Sequence, residues 1–247
     1  MMIKAVLTGH TRGLGAAIAE SLLGRDVAVL AIARGHNDGL GIRYSNHLHQ
    51  ITLDLTDSAA LSSWLASGEI VQFFSDSTTA LLINNAGMLQ PMGPAGTLDA
   101  AAIGHAITLN VAAPQMLTSA MISATDTVPD RRILHVSSGA GRDAYPAWST
   151  YCASKAALDH HARSVALEAI PALRICSLAP GVIDTDMQTE IRASTNEQFP
   201  LREKFVALKK EGQLAQPGDT ATRLVDYLLS ERYGQNVVAD LRALPNT

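Results

Sequence analysis

The sequence predicts an α/β fold, a doubly wound parallel sheet with helices on both faces. Short apolar runs alternate with longer amphipathic stretches, and no Pro/Gly/Ser-rich linker, internal repeat or low-complexity tract interrupts them. The runs are mostly apolar at successive positions, as strands covered on both faces must be. The stretches between them carry apolar residues at three- and four-residue spacing, which gives a helix one buried face. Such alternation builds parallel β-α-β units.

In chain order the strand candidates are Ile3–Thr8, Val27–Ile32, His49–Leu53, Ala80–Ile83, Arg132–Val136, Arg174–Leu178 and Asn236–Ala239. The helix candidates between them are Leu14–Leu23, Asp57–Leu65, Leu98–Met121, Thr150–Ala169 and Gly218–Leu229. Segment 184–216 stands apart as a long stretch with no sheet partner, mixing polar residues with Met187, Ile191, Phe199, Phe205 and Leu208. An amphipathic insertion after a strand suits a lid over a ligand cleft. The plainer alternative is an ordinary pair of surface helices.

Composition narrows the function classes. A chain of 247 residues can bury a sizeable core, and 17% charged residues argue against a disordered chain. A net charge of −4 argues against a nucleic-acid partner or an anionic membrane surface. The longest apolar run, Val27–Ala33, is seven residues, well short of the roughly 20 that span a membrane. Lys4 is the one basic residue in the N-terminal apolar stretch, and no signal peptide is expected there. Cys152 and Cys176 cannot make a disulfide framework or a CxxC zinc site, so a reducing, cytoplasmic setting is expected. His47 and His49 find no third ligand, and no metal is expected.

The first strand runs into Thr8-Gly9-His10-Thr11-Arg12-Gly13-Leu14-Gly15, which opens a helix. Glycines there allow a tight turn, let backbone N–H groups reach a pyrophosphate, and let the helix lie close to the sheet. The helix N-terminus adds unpaired donors and a positive dipole end. A tight strand-to-helix connection wants glycine in any case, so position in the chain matters as much as composition.

The spacing Gly-x-x-x-Gly-x-Gly resembles that of the short-chain dehydrogenase/reductase family, and further motifs follow in the family's order. Asn84-Asn85-Ala86-Gly87 resembles its NNAG, Asn110 lies in the next long helix, and Ser138 ends the fifth strand. Tyr151-Cys152-Ala153-Ser154-Lys155 matches YxxxK, and Pro180-Gly181 follows the sixth strand with Thr185 four residues on. The resemblance covers the chain from Thr8 to at least Thr185. It implies a Rossmann-type NADP(H)-binding domain over 1–247, with 184–216 inserted as a substrate lid. It also implies cofactor contacts from Gly9, Thr11, Arg12, Gly13, Leu14 and Gly15, and from Asp54 and Leu55, where the family holds the adenine. Further implied contacts come from Asn85, Ala86, Gly87, Pro180, Gly181, Ile183, Thr185 and Met187.

The choice of nicotinamide cofactor turns on the end of the second strand, which meets the adenosine ribose in this topology. A carboxylate there would bind the ribose 2′-hydroxyl and repel a 2′-phosphate. This chain has Ala33 and then Arg34, with Arg12 in the glycine turn. Two guanidiniums near one ribose suit a phosphate, so NADP(H) is expected. Arg34 alone could equally be a solvated loop charge.

Tyr151 and Lys155 are four residues apart on a predicted helix and share a face. An ammonium beside a phenol should lower its pKa from near 10, and a phenol so tuned can give its proton to a carbonyl oxygen. An isolated pair at this spacing is more often structural. The glycine turn and Ser138, thirteen positions before the tyrosine, favour the chemical reading. The resemblance implies that Ser138 donates to the same oxygen, that Lys155 also binds the nicotinamide ribose, and that Asn110 supports a water leading protons toward the lysine. Ser137 is expected to face the cofactor side, and Cys152 to be a small apolar filler.

Segment 180–188 and the later Phe205…Leu214 stretch resemble the sepiapterin and benzil reductase subgroup. Leu89, Met92, Tyr145, Trp148 and Met187 are then expected to line a pocket for a flat, largely apolar substrate. The implied reaction is reduction of an aromatic or vicinal dicarbonyl, with a β-ketoacyl thioester as the competing substrate. A non-catalytic dinucleotide sensor and a sugar-nucleotide epimerase are weaker alternatives, because the four reacting residues are present and the chain is short. Small residues along Thr150–Ala169, with the family resemblance, imply a homodimer or homotetramer; intrachain packing is the plainer use of them.

Overall fold

The computed structural model describes residues 2–245. Seven strands, β1 (Ile3–Thr8), β2 (Ala28–Ala33), β3 (Leu48–Thr52), β4 (Thr79–Asn84), β5 (Arg131–Val136), β6 (Leu173–Ala179) and β7 (Val238–Asp240), form one sheet. All neighbours are parallel, in the order β3-β2-β1-β4-β5-β6-β7.

The helices are α1 (Gly13–Leu23), α2 (Asp38–Arg43), α3 (Ser58–Leu65), α4 (Glu69–Phe74), α5 (Ala100–Ile107), α6 (Ala113–Ala124), α7 (Ser149–Leu167), α8 (Asp186–Ala193), α9 (Arg202–Lys210) and α10 (Pro217–Leu229). Alternate strand residues divide between two apolar layers, as the period of two requires. Ala5 and Leu7 of β1, Leu81 and Ile83 of β4, and Cys176 and Leu178 of β6 pack with Ile18 and Leu22 of α1 and Leu224 and Leu228 of α10. Their neighbours Val6, Leu82 and Ile175 pack on the other face with Leu61 of α3, Phe74 of α4, Leu117 of α6 and Ala162 of α7.

The expected strands all form, with bounds moved by a residue or two. Two short helices had no clear signal: α2, capped by the Asn37 side chain accepting from Leu40 N at 3.0 Å, and α4. The expected single helix Leu98–Met121 is a correction. It is α5 and α6 joined by a π-turn, Thr108–Ala112, with Pro114 at the start of α6. A proline lacks the N–H that a continuous helix would use, and apolar periodicity does not register one inserted residue. Segment 184–216 is mostly α8 and α9, and the residues bounding it are tied: Ile183 bridges to Ala215, and Asp184 N donates to Ala215 O at 2.9 Å.

Sheet order reverses between β1 and β4. In an open parallel sheet the crevice outside the strand ends at that reversal is where ligands bind. The ends meeting there are Thr8 and Asn84, each followed by one of the motifs singled out above.

Candidate active site

The turn after β1 is shaped by two glycines in the left-handed region, Gly9 (φ +75°) and Gly13 (φ +55°). A Cβ on Gly15 would sit 1.9 Å from Gly9 O, so only glycine lets α1 start this close beneath the turn. A Cβ on Gly9 would lie 3.0 Å from the Ala86 backbone. Asn85 ties the two strand ends together: its Nδ2 donates to Thr8 O (2.9 Å) and Gly9 O (3.2 Å). Thr8 Oγ1 accepts from the backbone N–H groups of Asn85 (3.0 Å) and Ala86 (2.9 Å). Asn85 thus acts on the turn itself. Thr185 closes the other side, since a side chain on Gly13 would meet its Cγ2 at 3.4 Å. Leu14 and Ile183 are buried below, and Gly181 is left-handed at φ +93°. A cradle of close backbone at a helix N-terminus, which any Cβ would fill, fits a dinucleotide pyrophosphate.

Around the expected ribose end the arrangement differs in detail. Arg12 and Arg34 are both exposed. Arg12 Nη1 pairs with Asp186 Oδ2 at 3.0 Å across the mouth of the turn. Asp54 Oδ1 accepts from Thr56 N (2.9 Å) and Thr56 Oγ1 (2.8 Å), which holds its carboxyl below the usual range, with Arg34 a smaller contributor. The Leu55 side chain is buried in the apolar layer. Thr11 O accepts from Asn37 Nδ2 at 3.4 Å, joining the turn to the loop after β2. His10, inside the glycine turn, is fully buried with Nε2 2.7 Å from Gln50 Oε1; that oxygen also accepts from Asn37 N at 2.7 Å. His10 therefore belongs to the packing beneath the loop.

The four reacting candidates converge on the next stretch of the crevice. A side chain on Gly87 would meet Asn110 Oδ1 at 3.2 Å and Lys155 Nζ at 3.7 Å. Asn110, in the π-turn, is buried and commits both ends of its amide to Met88: Met88 N donates to Oδ1 at 2.9 Å, and Nδ2 donates to Met88 O at 2.8 Å. Lys155 is 5% exposed, and its ammonium donates to Val136 O at 2.8 Å and lies 5.6 Å from the centre of the Tyr151 ring. Ser138 lies two residues past β5 rather than ending it, at the start of a short turn, where its Oγ accepts from Ala140 N at 3.2 Å.

Two expectations about this group are corrected. Lys155 does not lower the Tyr151 phenol here: burial pushes it up to about 12, with the Ser138 hydroxyl opposing the rise. The phenolate would lose its solvation under the aromatic residues above, and the lysine is itself drawn down to about 8 by burial. Ser137 does not face the cofactor side, because its Oγ donates to the buried Asp159 Oδ1 at 2.7 Å.

The expected substrate residues do collect in one place. Leu89, Trp148 and Tyr151 form an apolar cluster with Met92, Tyr145 and Met187 packed against it. Trp148 stacks on Phe199 with ring centres 4.6 Å apart and 1° between planes, and its centre lies 5.2 Å from Tyr145, 5.5 Å from Phe205 and 5.7 Å from Tyr151. Sequence reasoning placed Phe199 and Phe205 in segment 184–216 but not on the tryptophan. Their only signal was two aromatics in a chain with 4% of them. Ala147, just before Trp148, is held at φ +66°, a strained setting for a residue with a Cβ.

Comparison with known proteins agrees with this geometry. The family described as short chain dehydrogenase matches residues 4–196. A benzil reductase ((S)-benzoin forming) of Bacillus cereus is 34% identical over 246 residues, covering 96% of this chain and 98% of that protein. The sepiapterin reductase of Meriones unguiculatus is 30% identical over 249 residues, covering 95% of this chain and 94% of that protein. A solved short-chain dehydrogenase/reductase from Burkholderia vietnamiensis is 44% identical, covers 98% of both chains and superposes with a TM-score of 0.72. A glycine cradle at the sheet's reversal point, a Tyr–Lys pair on α7 and this match over most of the chain lead to one assignment: the protein belongs to the short-chain dehydrogenase/reductase family of oxidoreductases, in the subgroup of the benzil and sepiapterin reductases.

Proposed function

We propose that the protein is an NADPH-dependent carbonyl reductase acting on aromatic or vicinal dicarbonyl compounds. The observation that carries this reading is the aromatic stack beside Tyr151: Trp148 on Phe199, flanked by Tyr145 and Phe205. Flat rings favour a flat, apolar substrate, and Met92 and Met187 can adapt to its outline. The names of the relatives point to the same substrate class.

The glycine turn, Thr185 and the exposed Arg12 and Arg34 would hold the dinucleotide, the two guanidiniums serving its 2′-phosphate. When bound, the reduced nicotinamide supplies the hydride that reaches the carbonyl carbon. Tyr151, kept protonated by burial through neutral pH, gives its proton to the carbonyl oxygen. Ser138 donates to the same oxygen and fixes which of two adjacent carbonyls is held against the phenol. Lys155 places a positive charge beside the phenolate left behind, lowering the cost of the proton transfer. Asn110 holds the Met88 backbone, and with it the loop after Gly87, in register with Lys155. Segment 184–216 closes over the crevice as a lid and keeps water from the reacting carbon. The exposed side of α7, with Ala153, Ala156 and Leu167, is where a second copy pairs to give a homodimer or homotetramer.

The test is kcat/KM for benzil-like diketones and sepiapterin against a β-ketoacyl thioester, at saturating NADPH. Preference for the diketones or the pterin is expected. Preference for the thioester rejects the substrate class, and no turnover of any carbonyl rejects the enzyme.

A further inference from the structure

Behind the reacting group lies a buried carboxylate that none of the roles above uses. Asp159 is on α7 one turn after Lys155 and is 2% exposed. Its Oδ1 accepts from Ser137 Oγ at 2.7 Å and Ser177 Oγ at 2.6 Å, one hydroxyl just past β5 and the other within β6. Its Oδ2 lies 3.3 Å from Arg142 Nε, an ion pair without hydrogen-bond alignment. Gly141 makes room for it: a Cβ there would meet Lys155 C at 2.9 Å, Lys155 O at 3.0 Å and Asp159 Oδ2 at 3.1 Å. A carboxylate this buried is costly unless it is well satisfied, and this one receives two hydroxyls and a guanidinium.

We propose that Asp159 is a positioning residue for Lys155: it pins α7 to the ends of β5 and β6 and supplies the negative charge that keeps the buried ammonium protonated. The pinning is direct. The carboxylate holds Ser137, the residue between Val136, whose carbonyl takes the lysine, and Ser138, which faces the phenol. The electrostatic part follows from the surroundings. Burial draws Lys155 down to about 8, and Asp159 is the group that opposes this. The other ionisable groups facing the lysine offer no help. Tyr151 is neutral, with its phenol pushed up. His135 of β5 is held neutral, at about 3, and His161 of α7 is also lowered. Arg142 is positive and partly offsets the carboxylate.

The proposal rests on the reading of Lys155 as part of the reacting group, and a readout without turnover separates the two. The chain has five lysines, so 15Nζ NMR of the free protein resolves them, with Lys155→Met as the assignment control. Asp159→Asn keeps an acceptor for both serines and removes the charge, and with it the ion pair to Arg142. It should lower the Lys155 titration midpoint by about one unit or more, a tenfold change in its protonation equilibrium. At saturating NADPH, kcat/KM should then fall about fivefold near pH 8, approach about a tenfold loss above about pH 9, and converge on the wild-type value near pH 6, where Lys155 is charged in both proteins. Arg142→Gln leaves the carboxylate and removes its counter-charge, so the midpoint should move up; this arm decides the matter if Asp159→Asn does not fold. An unmoved midpoint in a folded Asp159→Asn, or a downward shift or none in Arg142→Gln, overturns the electrostatic role. Loss of activity by the same factor at every pH would reduce Asp159 to packing. A moved midpoint without turnover of any carbonyl would uphold Asp159 and reject the reductase reading.

Discussion

Arg12 and Asp186 stand 174 positions apart in sequence and form an ion pair of 3.0 Å across the mouth of the glycine turn. The pair joins the segment expected to hold the cofactor's 2′-phosphate to the first turn of α8. Both side chains are more than two-thirds exposed, so the pair itself contributes about 0–1 kcal/mol and weakens in salt. An incoming phosphate therefore has little to displace.

Replacing both arginines tests the cofactor choice. Arg12→Ala with Arg34→Ala should raise KM for NADPH by about tenfold or more and barely change KM for NADH, since each charge-assisted contact is worth about 1.5–3 kcal/mol. Asp186→Asn should do the reverse, lowering KM for NADPH up to about fivefold at low ionic strength. Steady-state kinetics with both cofactors measure this. Equal loss with NADPH and NADH in the double variant would overturn the NADPH assignment.

Tyr151→Phe keeps the ring beside Trp148 and removes the only proton the phenol can give. Turnover should fall by about 10²–10⁴-fold, while NADPH binding, followed by fluorescence quenching, stays close to wild type. Residual turnover near the wild-type rate would assign the proton to another group.

Gly15 should tolerate no side chain, because a Cβ there would lie 1.9 Å from Gly9 O. Gly15→Ala must move α1 or the turn, at a cost of about 1–3 kcal/mol, and should weaken dinucleotide binding as the turn opens. Gly35→Ala, with nothing within 4 Å, is the control and should melt within about a degree or two of wild type. Similar melting of the two variants would contradict the close approach of α1 to the turn.

His135 predicts an acid limb in stability. It is fully buried between Asn84, 3.1 Å away, and His161, also 3.1 Å away, and burial lowers its pKa from 6.5 to about 3. The unfolded chain therefore binds a proton that the folded one refuses. This contribution to stability is complete above pH 6.5 and is lost progressively as pH falls toward 3. Denaturant unfolding between pH 7 and 4 should show stability falling with pH, and His135→Gln should flatten that slope even if it is less stable at pH 7. An unchanged slope would assign the acid sensitivity to other groups.

Sequence alone determined the parts that depend on local pattern. Alternation of apolar runs and amphipathic stretches sets the strand and helix order, since β1 and β4–β6 need two covered faces whatever lies above them. The glycine turn was legible because its residues act through their own backbone, and Tyr151 with Lys155 because four positions on a helix already set one face. The apolar cluster beside Tyr151 was legible in outline: Leu89, Met92, Tyr145, Trp148 and Met187 were placed by motifs on either side of the crevice and do share one cluster.

Tertiary structure decided what depends on groups far apart in the chain. The stack of Trp148 on Phe199 brings together two residues 51 positions apart, and no local period encodes it. The direction of the Tyr151 pKa was misjudged because spacing reveals the neighbouring charge but not the burial, and desolvation is the larger effect here. Asp159 reads in sequence as one more polar residue on a helix. It became a buried charge only when β5, β6 and the turn at Gly141 closed around it, because the cost of burying a carboxylate and the partners that offset it are properties of the assembled fold.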